Sequence, residues 1–388
     1  MNDPRVKRLN RRPEERIYFP DNVRGDSDCS GGTRAPSRRR LPNPFGLIIE
    51  YLILSGLDHP WTCHHPPGLP RDSVTRYSRV QEAKLSIRPV KRLIKSKPTL
   101  EGAGVHLRRA FGFGNTSDFD PFLLFDDFRN DVPDDYLAGF PWHPHRGIET
   151  ITYVLAGTVD HGDSMGNQGT IAAGDVQWMT AGRGIIHQEM PKGDQSGRMH
   201  GFQLWANLPS SLKMMEPRYQ EVKAAEIPLV TDDDGTGVRI VCGSFWGKSG
   251  PVDGIAADPM YLDVSVPPGK RKVLPVETTR HAFAYVFAGD GKFCNASGPL
   301  AVPTEGVGWA DTAPPSDAGN RSLVLFDQGD ELTVQAGEEG IRFLLVSGKP
   351  LEEPVAWYGP IVMNTQDQLR QAFTELEQGT FLKQAVGD

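Results

Sequence analysis

Two histidines two positions apart, His143 and His145, and a histidine and a glutamate with the same spacing, His187 and Glu189, are the residues of this chain best suited to holding a metal ion. In a strand, residues i and i+2 project from one face, so each pair can converge on a single point inside a β-barrel. Pro144 lacks an N–H and cannot donate to a ladder, which predicts an edge strand or a bulge for the first pair. Three neutral imidazoles and one carboxylate form a mixed nitrogen and oxygen set. Such a set suits Fe(II), Ni(II), Mn(II) or Cu(II) and leaves positions open for substrate or oxygen. Zn(II) accepts the same donors, although a set without cysteine argues against a structural zinc site. Glu149, four residues past His145, shares the strand parity of the first pair, and spacing does not choose between it and Glu189. The competing reading is a polar strand face with satisfied histidines; two same-face pairs in one stretch favour the metal.

The elements that must position these residues follow from composition. The chain has 388 residues, enough for two ordinary domains, and 38% hydrophobic residues can furnish a core for each. Its 42 glycines and 32 prolines favour short strands joined by turns over a helical bundle, so an all-β fold is expected. The net charge is −7, yet residues 1–40 hold eleven Arg or Lys against six Asp or Glu, a surplus of five that leaves −12 on the rest. An acidic body lacks the continuous basic face that duplex nucleic acid requires, which disfavours direct nucleic-acid binding. Cys29, Cys63, Cys242 and Cys294 show no CxxC spacing and imply no disulfide framework. The apolar run at 45–57 is interrupted by Glu50 and is shorter than the roughly 20 residues a membrane span needs. A monomer in the cytoplasm, the nucleus or both is expected.

Residues 1–84 are rich in Arg, Pro, Ser and Gly and show no sustained period of 2 or 3.6. They are expected to form a disordered extension, with Cys63-His64-His65 an incidental cluster in it. From Pro89 onward, short apolar runs alternate with Gly, Asp and Asn. Tyr153-Val154-Leu155-Ala156-Gly157 returns as Tyr285-Val286-Phe287-Ala288-Gly289, an offset of 132. Ala173-Gly174-Asp175-Val176 is echoed by Gln328-Gly329-Asp330-Glu331-Leu332, an offset of 155. One β unit built twice is the implication. Between Asn364 and Gln378, Leu369, Ala372, Phe373 and Leu376 keep helical spacing behind Asn364 or Thr365 as a cap, predicting a C-terminal helix.

The strings HPHRGIET and QWMTAGRGIIHQEMP resemble the signature segments of the pirins, members of the cupin superfamily, and DPFLLFDDF, FQLWANL and EPVAWYGPIVMNT fit as well. The resemblance runs from about Val90 to the end. It implies two tandem cupin barrels of jelly-roll type at 85–225 and 226–350, with 351–388 packing its helix on them. It also implies one non-haem Fe(II) in the first barrel, with His143, His145, His187 and Glu189 as ligands. Many cupins take their carboxylate from the first motif, where Glu149 stands; pirins resemble a version that takes it from the second. Glu149 is then expected to orient a ligand or a neighbouring arginine.

Carried through the two offsets, the four ligands become Pro275, Glu277, Arg342 and Leu344, with His281 the histidine of the second copy. The second barrel is therefore expected to hold no metal and to be structural or partner-binding. For some pirins the family implies quercetin 2,3-dioxygenase activity, in which O₂ opens a flavonol ring and carbon monoxide is lost. Glu189 would act as general base, with Trp178, Met179, Phe140, Met190 and Phe202 as an apolar wall around the substrate. The alternative is a nuclear transcription co-regulator or signalling partner that responds to the oxidation state of the metal. A metal with a purely structural role is the third reading.

Overall fold

The computed structural model describes residues 85–293 and 317–382; the extension through residue 84, Cys63-His64-His65 within it, and Cys294 lie outside the described residues. The first barrel faces a seven-stranded antiparallel sheet against a four-stranded one. In order, the larger sheet runs Arg218–Val222, Val176–Thr180, Ile148–Ala156, His200–Asn207, Phe122–Asp127, Val105–Phe111 and Lys97–Glu101. The smaller runs Phe140–His145, Ile185–Lys192, Thr158–Asp163 and Gln168–Ile171. Gly147, at φ 77°, turns the chain from the small sheet into the large one immediately after the His-x-His strand.

The second barrel is one nine-stranded sheet wrapped on itself. Two long strands, His281–Phe293 and Glu331–Gly348, bend at register shifts between Val286 and Ala288 and between Gly289 and Gly291, so each serves both walls. Gly289 has φ 63°, and a Cβ there would lie 2.0 Å from the Gly340 carbonyl oxygen, which is why the duplicated string closes on glycine. Strand Val90–Lys95 pairs with Ser322–Phe326. The expected boundaries assign it to the first barrel, but its hydrogen bonds put it in the sheet of the second. Ladder pairing links strands distant in sequence, and no local pattern marks it.

The barrels pack through the outer faces of their large sheets, where Phe111, Phe119, Phe125, Ile151, Tyr153 and Phe202 meet Tyr261, Phe283, Tyr285, Leu344 and Val346 in one core. The duplication organises this seam. Tyr153 donates to Asp263 Oδ2 at 2.8 Å, and its counterpart Tyr285 donates to Asp127 Oδ2 at 2.8 Å, a reciprocal exchange between the copies. Each aspartate is also held by an arginine, Asp127 by Arg129 and Asp263 by Arg342.

Inside the barrels the copies diverge. The inward positions Thr150 and Thr152 become Ala282 and Ala284 at the offset of 132, and the second interior is filled by Val264, Leu274, Leu332, Val334, Phe343 and Leu345. The expected counterparts of the ligands need correction here. Pro275 and Glu277 are exposed, while buried Leu274 and Val276 point inward. Arg342 lies opposite Ala288 in the ladder, as His200 lies opposite Ala156, so Arg342 is the counterpart of His200 rather than of His187. Neither offset carries to the ligand strands, because the turns between strands differ in length in the two copies. His281 donates from Nδ1 to the Asp120 carbonyl at 2.7 Å and ties the barrels together.

The C-terminal segment returns to the first barrel. The Val362 N–H donates to the Arg146 carbonyl at 3.0 Å, one residue from His145. Thr365 caps helix Gln366–Glu377 through a capping box with Gln368, and Leu369 and Ala372 are buried at the expected spacing. Buried Arg146 donates to Glu375 Oε2 at 2.8 Å and to the Phe381 carbonyl at 2.8 Å, fixing the helix to the turn behind the His-x-His strand. No helix among the described residues is long and apolar enough to cross a membrane.

Lys213 ties three segments, donating to Gly147 O at 2.9 Å, Asn207 Oδ1 at 2.7 Å and Val362 O at 3.1 Å. Burial pushes its ammonium down to about 7. A lysine depressed in the fold binds fewer protons than in the unfolded chain between that value and its ordinary one, so it makes stability rise with pH from about 7 upward, by at most about 1.4 kcal/mol per unit. Urea unfolding at pH 7, 7.75 and 8.5 is expected to show this slope in the wild type and to lose it in Lys213→Met. Equal slopes would contradict the assignment.

Candidate metal centre

His143 and His145 sit on Phe140–His145, the edge strand of the small sheet, as Pro144 requires. His187 and Glu189 sit on the adjacent strand Ile185–Lys192, where His187 lies directly opposite His143 and a register shift separates it from Glu189. The pairing brings three rings together. His143 Nε2 lies 3.0 Å from His145 Nε2 and 3.0 Å from His187 Nε2.

The second nitrogens of His143 and His145 decide what this pair is, whereas His187 Nδ1 has no hydrogen-bond partner among the described residues. A carbonyl oxygen only accepts, so His143 Nδ1 donates to Pro141 O at 2.8 Å and His145 Nδ1 donates to Pro360 O at 3.2 Å. Both rings then carry their lone pair on Nε2, and no proton bridges the two atoms. Lone pairs facing each other at 3.0 Å repel unless a cation takes the common point. The donor set fits a divalent metal.

Burial supports the same reading. It pushes His143 down to about 4 against the Pro141 carbonyl, and it holds His145 and His187 well below the ordinary histidine value, with the neighbouring imidazoles adding to the effect. All three are therefore neutral ligands at physiological pH. His187, His145 and His143 form the one group of three or more metal-holding side chains among the described residues.

Glu189 borders this group. Its Oε2 is 3.9 Å from His187 Nε2, its Oε1 is 3.2 Å from the Thr152 hydroxyl, and Gln203 Nε2 lies 3.4 Å from Oε2. Burial lifts the carboxyl to about 7, against the bonds from Thr152 and Gln203.

Glu149 is elsewhere, contrary to the expectation that it orients a ligand, although the charge of Arg218 reaches it. The turn at Gly147 moves it to the other sheet, on the face of Ile151 and Tyr153 at the seam, where it accepts from Thr180 Oγ1 at 2.7 Å.

A cavity opens above His143 and His145. Its walls include Leu107, Leu124, Phe128, Tyr136, Phe140 and Trp205, with Phe113 at the rim and Gly359 and Pro360 from the C-terminal segment. Of the five expected wall residues, Phe140 alone lines it. Trp178 and Phe202 face the seam between barrels, Met179 packs with Leu123, Ile148 and Val362 behind the site, and Met190 is not among the lining residues. Arg109 crosses the wall, bound to both oxygens of Asp126 at 2.8 and 2.7 Å and to Glu101 at 2.8 Å. Sequence reasoning missed the carbonyls of Pro141 and Pro360, which set the tautomers, and the pair Thr152 and Gln203 beside Glu189. The string around Pro360 is visible in the sequence, but nothing local places it against a histidine 215 residues away.

Two β-barrels packed face to face, with a buried three-imidazole centre in one and an apolar interior in the other, define a bicupin with one metal centre among the described residues. The comparisons agree in both halves. The Pirin family model matches residues 104–206, and the Pirin C-terminal cupin domain matches residues 261–382. The chain belongs to the pirin family of the cupin superfamily. It is 43% identical over 298 residues to a pirin-like protein of Caulobacter vibrioides, covering 76% of this chain and all of that one. It is 38% identical over 284 residues to human pirin, covering 73% of this chain and 90% of that one. Among solved structures, a quercetin 2,3-dioxygenase from Acinetobacter baumannii superimposes with a TM-score of 0.66 at 28% identity, covering 76% of this chain and 99% of that one.

Proposed function

We propose that this protein is a mononuclear non-haem iron dioxygenase of the quercetin 2,3-dioxygenase type, with His143, His145, His187 and Glu189 as the ligands of Fe(II). The observation that carries the reading is the convergence of three imidazole Nε2 atoms, with the rings of His143 and His145 lining an aromatic-walled cavity. The name of the solved Acinetobacter structure points to the same chemistry. Bound Fe(II) would supply Lewis acidity and a one-electron route to O₂.

The side chains of this protein do the rest. Phe128, Tyr136, Phe140 and Trp205 offer flat apolar surface to the rings of a flavonol, so that substrate is held against the imidazole floor and the entropic cost of its encounter with O₂ falls. Glu189 takes the proton of the flavonol hydroxyl at one carboxylate oxygen, acting as general base from the edge of the imidazole group. Thr152 and Gln203 aim that carboxylate. The Arg109–Asp126–Glu101 ion pairs offer polar partners to hydroxyls elsewhere on the substrate.

The test is aerobic quercetin depletion with detection of carbon monoxide, using the full-length protein reconstituted anaerobically with Fe(II). Turnover in the wild type and its loss in Glu189→Gln with iron retained is the expected result. Iron bound with quercetin untouched would contradict the enzyme and turn attention to partners that distinguish Fe(II) from Fe(III).

A further inference from the structure

We propose that the seam between the two barrels holds a second ligand site, one for a small oxyanion, where Arg129, Arg198 and Arg342 surround His200. These four residues line one pocket with Leu155 and Phe287 as apolar walls. The pocket follows from the duplication. Leu155 and Phe287 occupy the same position of the repeated string, and the ladder places His200 opposite Ala156 as it places Arg342 opposite Ala288. Each copy thus contributes one nitrogen-rich side chain from the same ladder position.

Two of these side chains present nitrogen atoms that want a partner. Arg129 Nε and His200 Nε2 are buried and make no hydrogen bond among the described residues. Buried donors are almost always satisfied in folded proteins, so a group from solution is implied. Two of the guanidiniums are already fixed in place. Arg129 donates to Asp127 Oδ2 at 2.8 Å and to the Phe287 carbonyl at 2.9 Å. Arg342 donates to both oxygens of Asp263 at 2.9 and 2.6 Å and lies 5.0 Å from the Phe287 ring centroid. Side chains held this way lose little freedom when an anion arrives.

The charge balance selects an anion. Asp127, Asp194 and Asp263 offset Arg129, Arg198 and Arg342 one for one. Arg321, whose charge also reaches His200, has no ion pair among the described residues, which leaves one cation in excess. Burial and the charges of Arg129, Arg342 and Arg321 outweigh Asp127 and hold His200 at about 4. An oxyanion would relieve this positive field and supply acceptors to the unpartnered nitrogens. Carboxylates and phosphate share that chemistry.

Isothermal titration of the metal-loaded full-length protein with sodium phosphate and with sodium succinate, each against sodium chloride at matched ionic strength, tests the site. Saturable heat from either anion supports it, and the anion that gives the heat identifies the group recognised. His200→Phe and Arg198→Gln are expected to weaken binding about tenfold or more through loss of a charge-assisted hydrogen bond, with metal content unchanged. Arg198 is largely exposed, so its replacement leaves the fold intact even where His200→Phe does not. Heats equal to chloride for both anions, or binding undiminished in Arg198→Gln, would overturn the proposal.

Discussion

Replacing His145 by alanine is expected to lower metal affinity by at least about a hundredfold, more than the loss of a group that merely orients a ligand. The ring is buried, its Nε2 is 3.0 Å from that of His143, and its tautomer is set by the Pro360 carbonyl. Removing it takes away one donor and leaves the remaining imidazoles without the arrangement that a divalent ion requires. Turnover, under the proposed function, falls with the metal. The fold is expected to survive, because in the metal-free protein the close approach of two lone pairs is unfavourable and its loss offsets part of the lost packing. Metal content after exhaustive dialysis and the circular dichroism spectrum together check this. A folded variant that keeps its metal would remove His145 from the site.

Phe283→Ala is expected to destabilise the protein by about 3–5 kcal/mol, the usual range for deleting a buried phenylalanine. Phe283 belongs to the second barrel but points at the first. Its ring meets Phe111, Phe119, Phe122 and Phe125 edge-on at centroid distances of 5.4 to 5.9 Å, and it is 1% exposed. Four favourable aromatic contacts and the transfer of a large apolar side chain are lost at once, and the surrounding rings come from several strands that cannot collapse together. Urea unfolding measures the effect. A loss below about 1 kcal/mol would mean that the seam relaxes freely and does not bind the barrels as one core.

The ligand strands were legible because period 2 is local: His143 with His145 and His187 with Glu189 need only an extended backbone to share a face. The helix was legible for the same reason, since Thr365 and Gln368 form its capping box within four residues. The faces of the central strand were not. Residues Ile148 through Val154 are all buried, so no alternation of apolar and polar residues distinguishes the barrel interior from the seam. Glu149, Trp178 and Phe202 therefore read as site residues from proximity in sequence while their side chains face the second barrel. The duplicated string located the second copy, but an offset counted across turns of unequal length misplaced the counterparts of the ligands, which only the hydrogen-bonded register corrects.

The central claim is that one divalent metal sits among His143, His145 and His187 of the first barrel, with Glu189 completing the set. X-ray absorption at the metal edge, on the full-length protein reconstituted with Fe(II) and on its Glu189→Gln variant, tests it most directly. The expected result is one ion per chain, with three imidazoles in its coordination shell and one fewer carboxylate oxygen in the variant. An ion bound by fewer than three imidazoles, or a spectrum unchanged by the Glu189 substitution, would contradict the assignment.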